Sequence, residues 1–170
     1  MARTNNSIPS FLLALRQSIV DDSVVPDTCC QITTEERTLE YPQGQYIIML
    51  IPGSIKPEDQ GGEGENETIF VGSITFRLLS QNILDPATSD VVAMTDTDTT
   101  TGIYVLFQSL LQVIRFWDKC DEVGNTYLIQ PMRIGSGLSQ PRRNEKHEQY
   151  VSADLMVEYK ICVGKGISGQ

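Results

Sequence analysis

Histidine is nearly absent from this sequence, because His147 is the only one among 170 residues. Nucleophilic catalysis by serine, cysteine or threonine needs a base within reach, and histidine is the most frequent one. The chain also lacks the G-x-S-x-G, H-E-x-x-H and G-x-x-x-x-G-K-[ST] motifs of hydrolases, metalloproteases and phosphate-binding loops. We therefore predict that the protein is not an enzyme, that it uses no cofactor, and that His147 is a solvated residue beside a strand.

Metal-binding cysteine patterns are absent as well. The four cysteines are Cys29, Cys30, Cys120 and Cys162, and none of them belongs to a C-x-x-C pair. A structural zinc ion needs four ligands at characteristic spacings. The sequence therefore predicts free thiols and no metal site.

Long apolar runs and a surplus of basic residues are missing too. No stretch reaches the roughly 18 apolar residues of a transmembrane helix, and Arg16 interrupts the N-terminal apolar stretch, which is not typical of a signal peptide. The 13 basic residues against 22 acidic ones give a net charge of −9, which disfavours nonspecific binding to nucleic acid. We predict a soluble protein with no membrane partner, past which DNA can move without sticking.

The residues that are present make an ordinary globular composition. Apolar residues form 40% of the chain and charged residues 21%, and this length predicts a single domain over 1–170 with its own core. The stretch 7–25 predicts an amphipathic N-terminal helix, capped by Ser7 and ended by Pro26. Its apolar stripe consists of Ile8, Leu12, Leu15 and Ile19.

Three strand-like runs follow this helix. They are "CCQITTEERTLEY" (29–41), "QYIIMLI" (45–51) and "ETIFVGSITFRLLSQ" (67–81), and they are rich in β-branched and aromatic residues. The third run alternates between an apolar face and a polar face that includes Arg77. Between the second and third runs, a glycine-rich acidic stretch at about 52–67 predicts a long hairpin arm or an exposed loop.

A D-x-D pair and a run of threonines precede a long apolar segment, "DTDTTTGIYVLFQSLLQVIRFWDKC" (96–120). Apolar residues recur at helical period from Ile103 onward, so the segment predicts a long central helix with one core face. A calcium loop needs further oxygen ligands and an invariant glycine turn, and the leader has neither. We predict that Asp96, Asp98 and the threonines 99–101 cap this helix and do not bind a metal ion.

The C-terminal part alternates between apolar and polar positions. "HEQYVSADLMVEYKICV" (147–163) predicts a long antiparallel strand with one buried face, and "NTYLIQPMRI" (125–134) predicts its partner. A basic loop at about 135–148 joins them. The order of one helix, three strands, a long helix and two strands predicts an α+β fold. We expect a mostly antiparallel sheet with the N-terminal helix and the long central helix on one face.

Three of these segments together resemble the tail terminator, or tail completion, proteins of long-tailed bacteriophages. They are "SFLLALRQSIVDD" (10–22), "IYVLFQSLLQVIRFW" (103–117) and "YVSADLMVEYKICV" (150–163), and the resemblance lies in their layout along most of the chain. It implies a virion protein, made in the host cytoplasm, that has no catalytic residues and forms a homo-oligomeric ring, a hexamer. Such a ring caps the head-proximal end of the tail, contacts the tail tube protein and the neck or connector protein, and lets DNA pass through its lumen.

Two loops of opposite charge suit a ring subunit. Contacts in a closed ring join two different patches of each subunit, and complementary charge fixes their register. The alternative is that both loops are only solvated. The candidate intersubunit residues are acidic in one loop and basic in or beside the other: Glu58, Asp59, Glu63, Glu65 and Glu67, and Arg133, Arg142, Arg143 and Lys146.

Two other functions fit the same pattern. One is another head-to-tail joining or neck protein, which shares the virion setting and has a different neighbour. The other is a cytosolic module that binds a small ligand or peptide on its sheet. We rank an enzyme after these two functions. Oligomeric state separates these functions, because the two virion proteins predict a closed ring and the binding module predicts a monomer or dimer.

Overall fold

The described part of the chain in this computed structural model contains six strands, three α-helices and a short 3-10 helix (Asp27–Cys29). That part comprises residues 7–22, 24–34, 46–58, 67–97, 102–120, 124, 126–145 and 148–164. The helices are α1 (Ile8–Asp21), α2 (Val92–Thr95) and α3 (Ile103–Arg115). The strands are β1 (Cys30–Ile32), β2 (Tyr46–Pro57), β3 (Glu67–Gln81), β4 (Arg133–Ser136), β5 (Arg142–Arg143) and β6 (Tyr150–Gly164). The predicted α+β single domain is confirmed.

All six strands belong to one mixed sheet. The strand order is β1-β2-β3-β6-β4, and β5 pairs with β6 beyond the end of β4. Every neighbouring pair is antiparallel except β1 with β2, which is parallel. The predicted antiparallel character therefore holds for most of the sheet. The β3–β6 pair forms its centre, in register from Glu67 opposite Gly164 to Gln81 opposite Tyr150.

The N-terminal helix begins as predicted and ends earlier than predicted. The Ser7 hydroxyl accepts a hydrogen bond of 3.2 Å from the backbone N–H of Ser10, which caps the first turn. The helix stops at Asp21, before Pro26, because the chain turns there and the backbone N–H of Val24 bonds back to Ile19. This turn buries the side chain of Val24 in the core.

The central helix has the predicted core face. Leu106, Leu110 and Ile114 are buried along α3, and Trp117 is buried just beyond its end. Gln112, on the opposite side of the helix, is exposed. Helical periodicity in the sequence therefore identified the side that meets the sheet.

The prediction that the acidic and threonine leader caps this helix is wrong for Asp96. The N-cap residue is Gly102, and no described side chain caps the helix there. Asp96 instead ends the short helix α2, since its backbone N–H bonds to the carbonyl of Val92. Asp98 and the threonines 99–101 lie outside the described residues.

Three predicted boundaries also need correction. The run 125–134 is not a continuous strand: only β4 forms at its end, preceded by an isolated bridge at Leu128, since Pro131 has no N–H to donate to a ladder. The basic loop at about 135–148 contains β5. The ends of the acidic stretch at about 52–67 are strand residues of β2 and β3.

The first strand prediction, over 29–41, is only partly met. Within its described part, just β1 is a strand, and residues 35–41 lie outside the described residues. The pairing of β1 with β2 is parallel, with Cys30 opposite Ile48. Cys30 is fully buried, which raises the pKa of its thiol to about 12 because burial disfavours the thiolate.

Helices α1 and α3 contribute to the core on one face of the sheet, which we call the covered face. An aromatic cluster lies in this core: the Phe11 ring centroid is 4.6 Å from that of Tyr159 and 5.5 Å from that of Trp117. Trp117 Nε1 donates a 3.0 Å hydrogen bond to Ser18 Oγ. A Cβ at position 72 would lie 2.5 Å from the Tyr159 ring. Any residue larger than glycine at this position would therefore clash with the ring where it packs against the sheet.

No described helix contributes to the core of the opposite face, which we call the open face. A small separate apolar cluster lies at one end of it and comprises Ile47, Met49, Leu79 and Tyr150. The remainder of the face is mostly polar and charged, with Ile69, Val71 and Met156 half-buried on it. Of the described helices, none is both long and apolar enough to cross a membrane.

Candidate functional site

An arginine–aspartate pair occupies the middle of the open face. Arg77 on β3 is directly opposite Asp154 on β6, because alternation along each strand turns both residues away from the covered face. Arg77 Nε and Nη2 donate to the two carboxylate oxygens of Asp154 at 2.7 and 2.8 Å. The two side chains are 23% and 34% exposed, so this bidentate pair is half-buried and fixed in orientation.

A polar cleft of about 120 Å³ opens beside this pair. Its outer wall is the segment that follows β4. Hydrogen bonds to the backbone of β6 hold this segment at the edge of that strand. The backbone N–H of Ser139 donates to the Asp154 carbonyl at 2.8 Å, and the Ser139 hydroxyl accepts from the Asp154 N–H. The lining residues are Arg77, Ser139, Arg142, Arg143, Asn144, Glu145, Ser152, Ala153 and Asp154.

The two arginines of β5 differ in their partners. Arg143 forms an exposed ion pair with Glu148, so its charge is already offset within the chain. Arg142 is exposed and makes no ion pair with any described residue. Arg142 is therefore the cation of the cleft that remains available to an anionic group. With the hydroxyls of Ser139 and Ser152 beside it, the cleft can bind carboxylate or phosphate oxygens by hydrogen bonds.

The acidic candidate residues start at the far end of the sheet. Glu58, just after β2, forms an ion pair of 2.6 Å with Lys160, and both side chains are about 30% exposed. The structure thus gives Glu58 a partner in its own chain, which sequence reasoning did not predict. Glu67 begins β3, and Asp59, Glu63 and Glu65 lie outside the described residues, as do Lys146 and His147.

Arg133 lies apart from the other basic candidates. It begins β4, where its register partner on β6 is Glu158, and no described residue forms an ion pair with it. Arg142, by contrast, is opposite Ser152, near the other end of β6. The structure therefore brings Arg142 and Arg143 together in one cleft and leaves Arg133 on a separate part of the sheet edge.

Arg142 of the cationic cleft and Glu67, the last residue of the acidic stretch, are at opposite ends of β6. Arg142 pairs with Ser152 near the start of the strand, and Glu67 pairs with Gly164 at its end. At roughly 3.3 Å per residue these two positions are about 40 Å apart. The described parts of the two charged regions therefore lie far apart in one chain.

Sequence reasoning missed the residues that shape the cleft. Arg77 and Asp154 are 77 positions apart, and only the strand register shows that they pair. The signal that could have suggested them is their place on the polar side of two alternating strands. Ser139 and Asn144 gave no such signal, because the segment around them follows no periodic pattern.

Metal binding has no candidate centre in the described part of the chain. No group of three or more His, Cys, Asp or Glu side chains within it is arranged to hold an ion. None of the four cysteines forms a disulfide: Cys29 and Cys30 are in the core, Cys120 is at the surface, and Cys162 is half-buried.

Comparison with known proteins gives no family for this chain. No protein-family model matches the sequence, and no curated protein matches it either.

Proposed function

We propose that this protein is a structural subunit of a closed homo-oligomeric ring that terminates the tail tube of a bacteriophage and joins it to the neck. The observation that carries this proposal is the separation of charge along the sheet. A cationic cleft with Arg142 lies at one end, and Glu58 and Glu67, the described residues that border the acidic stretch, lie toward the other. The layout of helices and strands that resembles tail terminator proteins gives it further support.

Arg142 and Glu67, whose backbone positions are about 40 Å apart on one subunit, can pair with each other only between subunits. A head-to-tail contact joins two different patches, and it produces a ring when the rotation between neighbours closes. Complementary charge fixes the register of such a contact and speeds encounter. The net charge of −9 suits the same role, since a negatively charged lumen lets DNA pass without binding it.

The expected partners are further copies of this chain, the tail tube protein and a neck or connector protein. No cofactor and no catalytic group are needed for this role. The ring would be a hexamer by its resemblance to tail terminators, and it would be located in the virion at the head-proximal end of the tail.

Reversal of the charge at Arg142 tests the proposal. Arg142→Glu should shift the protein from ring to monomer in sedimentation velocity, because attraction becomes repulsion at every contact of the ring. Each exposed pair is worth only about 0–1 kcal/mol, but the loss repeats around the circle. Lys119→Glu, which makes the same charge change at an exposed position elsewhere, should leave the ring intact. Salt at 1 M, where charges are screened beyond about 3 Å, should weaken the wild-type ring.

A compensating charge reversal completes the test. Replacement of Asp59, Glu63 and Glu65 by lysine should also disperse the ring, and the same replacement in an Arg142→Glu chain should restore it. Dispersal without restoration would show that the acidic stretch is not the partner of Arg142. A wild type that stays monomeric even with tail tubes present would overturn the ring itself.

The polar cleft specifically favours a second candidate, a binding module that holds a small anionic ligand or peptide on its sheet. A monomer or dimer that binds such a ligand through Arg142 would support this module over the ring. A ring that fails to bind tail tubes but binds a connector would instead indicate another neck protein.

A further inference from the structure

An apolar groove lies at the sheet edge, between the C-terminal half of α3 and β4. Its volume is about 230 Å³, and its lining consists of Leu111, Ile114, Arg115, Met132 and Ile134. Ile134 points toward the covered face, because it is opposite Val157, yet it is 44% exposed. The groove therefore continues the apolar core to the edge of the sheet, where no described element beyond β4 covers it.

The outer edge of β4 is also available. The sheet ends at β4, and no other described strand pairs with its outer side. All four residues from Arg133 to Ser136 are exposed. An extended segment added at this edge would bond to the backbone of β4, and every second side chain would enter the groove.

Two cations border the groove. Arg115 is exposed at the end of α3, and Arg133 is exposed on the open-face side of β4. Neither forms an ion pair with a described residue, although Glu158 is the register partner of Arg133. An arginine can bind two carboxylates, so Glu158 does not prevent a second one from approaching. The charge at this edge favours an acidic partner.

We propose that the β4 edge and its groove dock an extended acidic segment of a different protein. One apolar side chain of the segment fills the groove. Carboxylates at the positions on either side of it point to the open face, where they meet Arg133, and Arg115 beside the groove adds positive charge at the same edge. The site uses neither Arg142 nor the acidic stretch, so it is independent of the ring contact proposed above.

Neither the β2 edge nor the acidic stretch of a second copy fits the site well. The described free edge of β2, beyond its pairing with β1, carries Pro52, Lys56 and Pro57 and a register shift. Prolines and bulges interrupt ladder hydrogen bonds, and a lysine at the edge repels Arg133 and Arg115. The acidic stretch 58–67 has the right charge, but it contains no apolar residue to fill the groove.

A synthetic peptide that alternates glutamate with valine and isoleucine, acetyl-SEVEIEVES-amide, tests the docking site on the full-length protein. Calorimetry should detect binding, and hydrogen exchange should show protection of the backbone amides at 132–137. A matched peptide with lysine in place of every glutamate should bind at least about tenfold more weakly. Absence of binding by the acidic peptide at millimolar concentration, or equal binding of both peptides, would overturn the proposal.

Two variants locate the site. Ile134→Asp puts a carboxylate at the mouth of the groove, and Arg133→Glu reverses the charge at the edge; each should weaken binding of the acidic peptide by about tenfold or more. Leu13→Asp is the matched control, because Leu13 is 61% exposed on α1, and its binding should equal that of wild type. Protection outside 132–137 would place the site elsewhere. If the wild type self-associates and Ile134→Asp abolishes this association, the occupant of the groove is a second copy of the chain. That result would contradict the proposal.

Discussion

The two faces of the sheet differ although the same strands build both. On the covered face, Phe76, Leu78, Leu155 and Val157 are fully buried under the helices. On the open face, the residues between them on β3 and β6 include Arg77 and Asp154, which are half-buried. Side chains of successive strand residues point to opposite faces, so one stretch of sequence encodes a core and a surface at once.

This difference separates stability from recognition. The covered face is stabilised by removal of apolar area from water, which is large and nondirectional. The open face carries ion pairs and a polar cleft, whose net contributions to folding are small and whose geometry is specific. We expect substitutions on the covered face to change the free energy of unfolding and those on the open face to change binding.

The largest expected effect is on the covered face, at Leu110. Leu110 is fully buried on α3, so Leu110→Asp places an unpaired carboxylate in the core and should cost about 3–5 kcal/mol or prevent folding. Gln112→Ala, on the exposed side of the same helix, should change stability by less than about 0.5 kcal/mol. Thermal unfolding measures both, and similar losses would mean that this helix has no distinct core side.

The buried thiol of Cys30 predicts a pH dependence. Burial raises its pKa from 9.0 to about 12, so above pH 9 the unfolded chain loses this proton while the folded chain keeps it. Stability from this group is therefore complete below pH 9 and falls by about 1.4 kcal/mol per pH unit up to pH 12. Urea unfolding at pH 8 and pH 10, with a reductant present, should show this fall. Cys30→Ala should show a smaller fall, and an identical fall would assign the effect to other groups.

A smaller effect of opposite sign is expected at Tyr159. Its hydroxyl is buried and forms no hydrogen bond with any described residue, and burial also raises the pKa of this phenol. Tyr159→Phe keeps the ring on Gly72 and removes the unpaired hydroxyl, so it should raise the free energy of unfolding by about 1 kcal/mol. Tyr104→Phe, at an exposed position, should be neutral. A loss of stability in Tyr159→Phe would reveal a partner for the hydroxyl in solution.

The smallest effect is expected on the open face. A double-mutant cycle of Arg77→Ala and Asp154→Ala should give a coupling of about 1 kcal/mol or less, because both side chains are partly exposed and solvent screens the pair. The coupling should decrease at high salt. A coupling free energy of several kcal/mol would mean that the open face also contributes strongly to stability, which contradicts the difference between the two faces.

Periodic segments were predictable from the sequence. The run 67–81 matches β3, and 147–163 differs from β6 by a few residues at its start, because alternation over many positions specifies a strand and its buried face. The stripe from Ile103 likewise identified α3. In each case, one side of the element is buried and the other is exposed, and the spacing of apolar and polar residues along the sequence reflects that difference.

Features without a period were not predictable. The N-cap at Gly102 was not predicted, because Asp96, Asp98 and the threonines 99–101 before it suggested a side-chain cap by composition alone. The short strand β5 has two exposed arginines and no apolar alternation, so nothing in its residues marks it as a strand. The pairing of Arg77 with Asp154 depends on long-range register, which a sequence does not display.

The central β3–β6 pair has a consequence for how the chain folds. Its two strands align over their full length, yet Arg77 and Asp154 are separated by 77 positions of sequence. Loop-closure entropy must be overcome before such distant contacts stabilise anything, so topologies of this kind fold slowly. During synthesis from the N-terminus, the β2–β3 hairpin leaves the ribosome long before β6 exists. Until β6 arrives, the inner edge of β3 is an unpaired strand, and the nascent chain is most prone to aggregation in that interval.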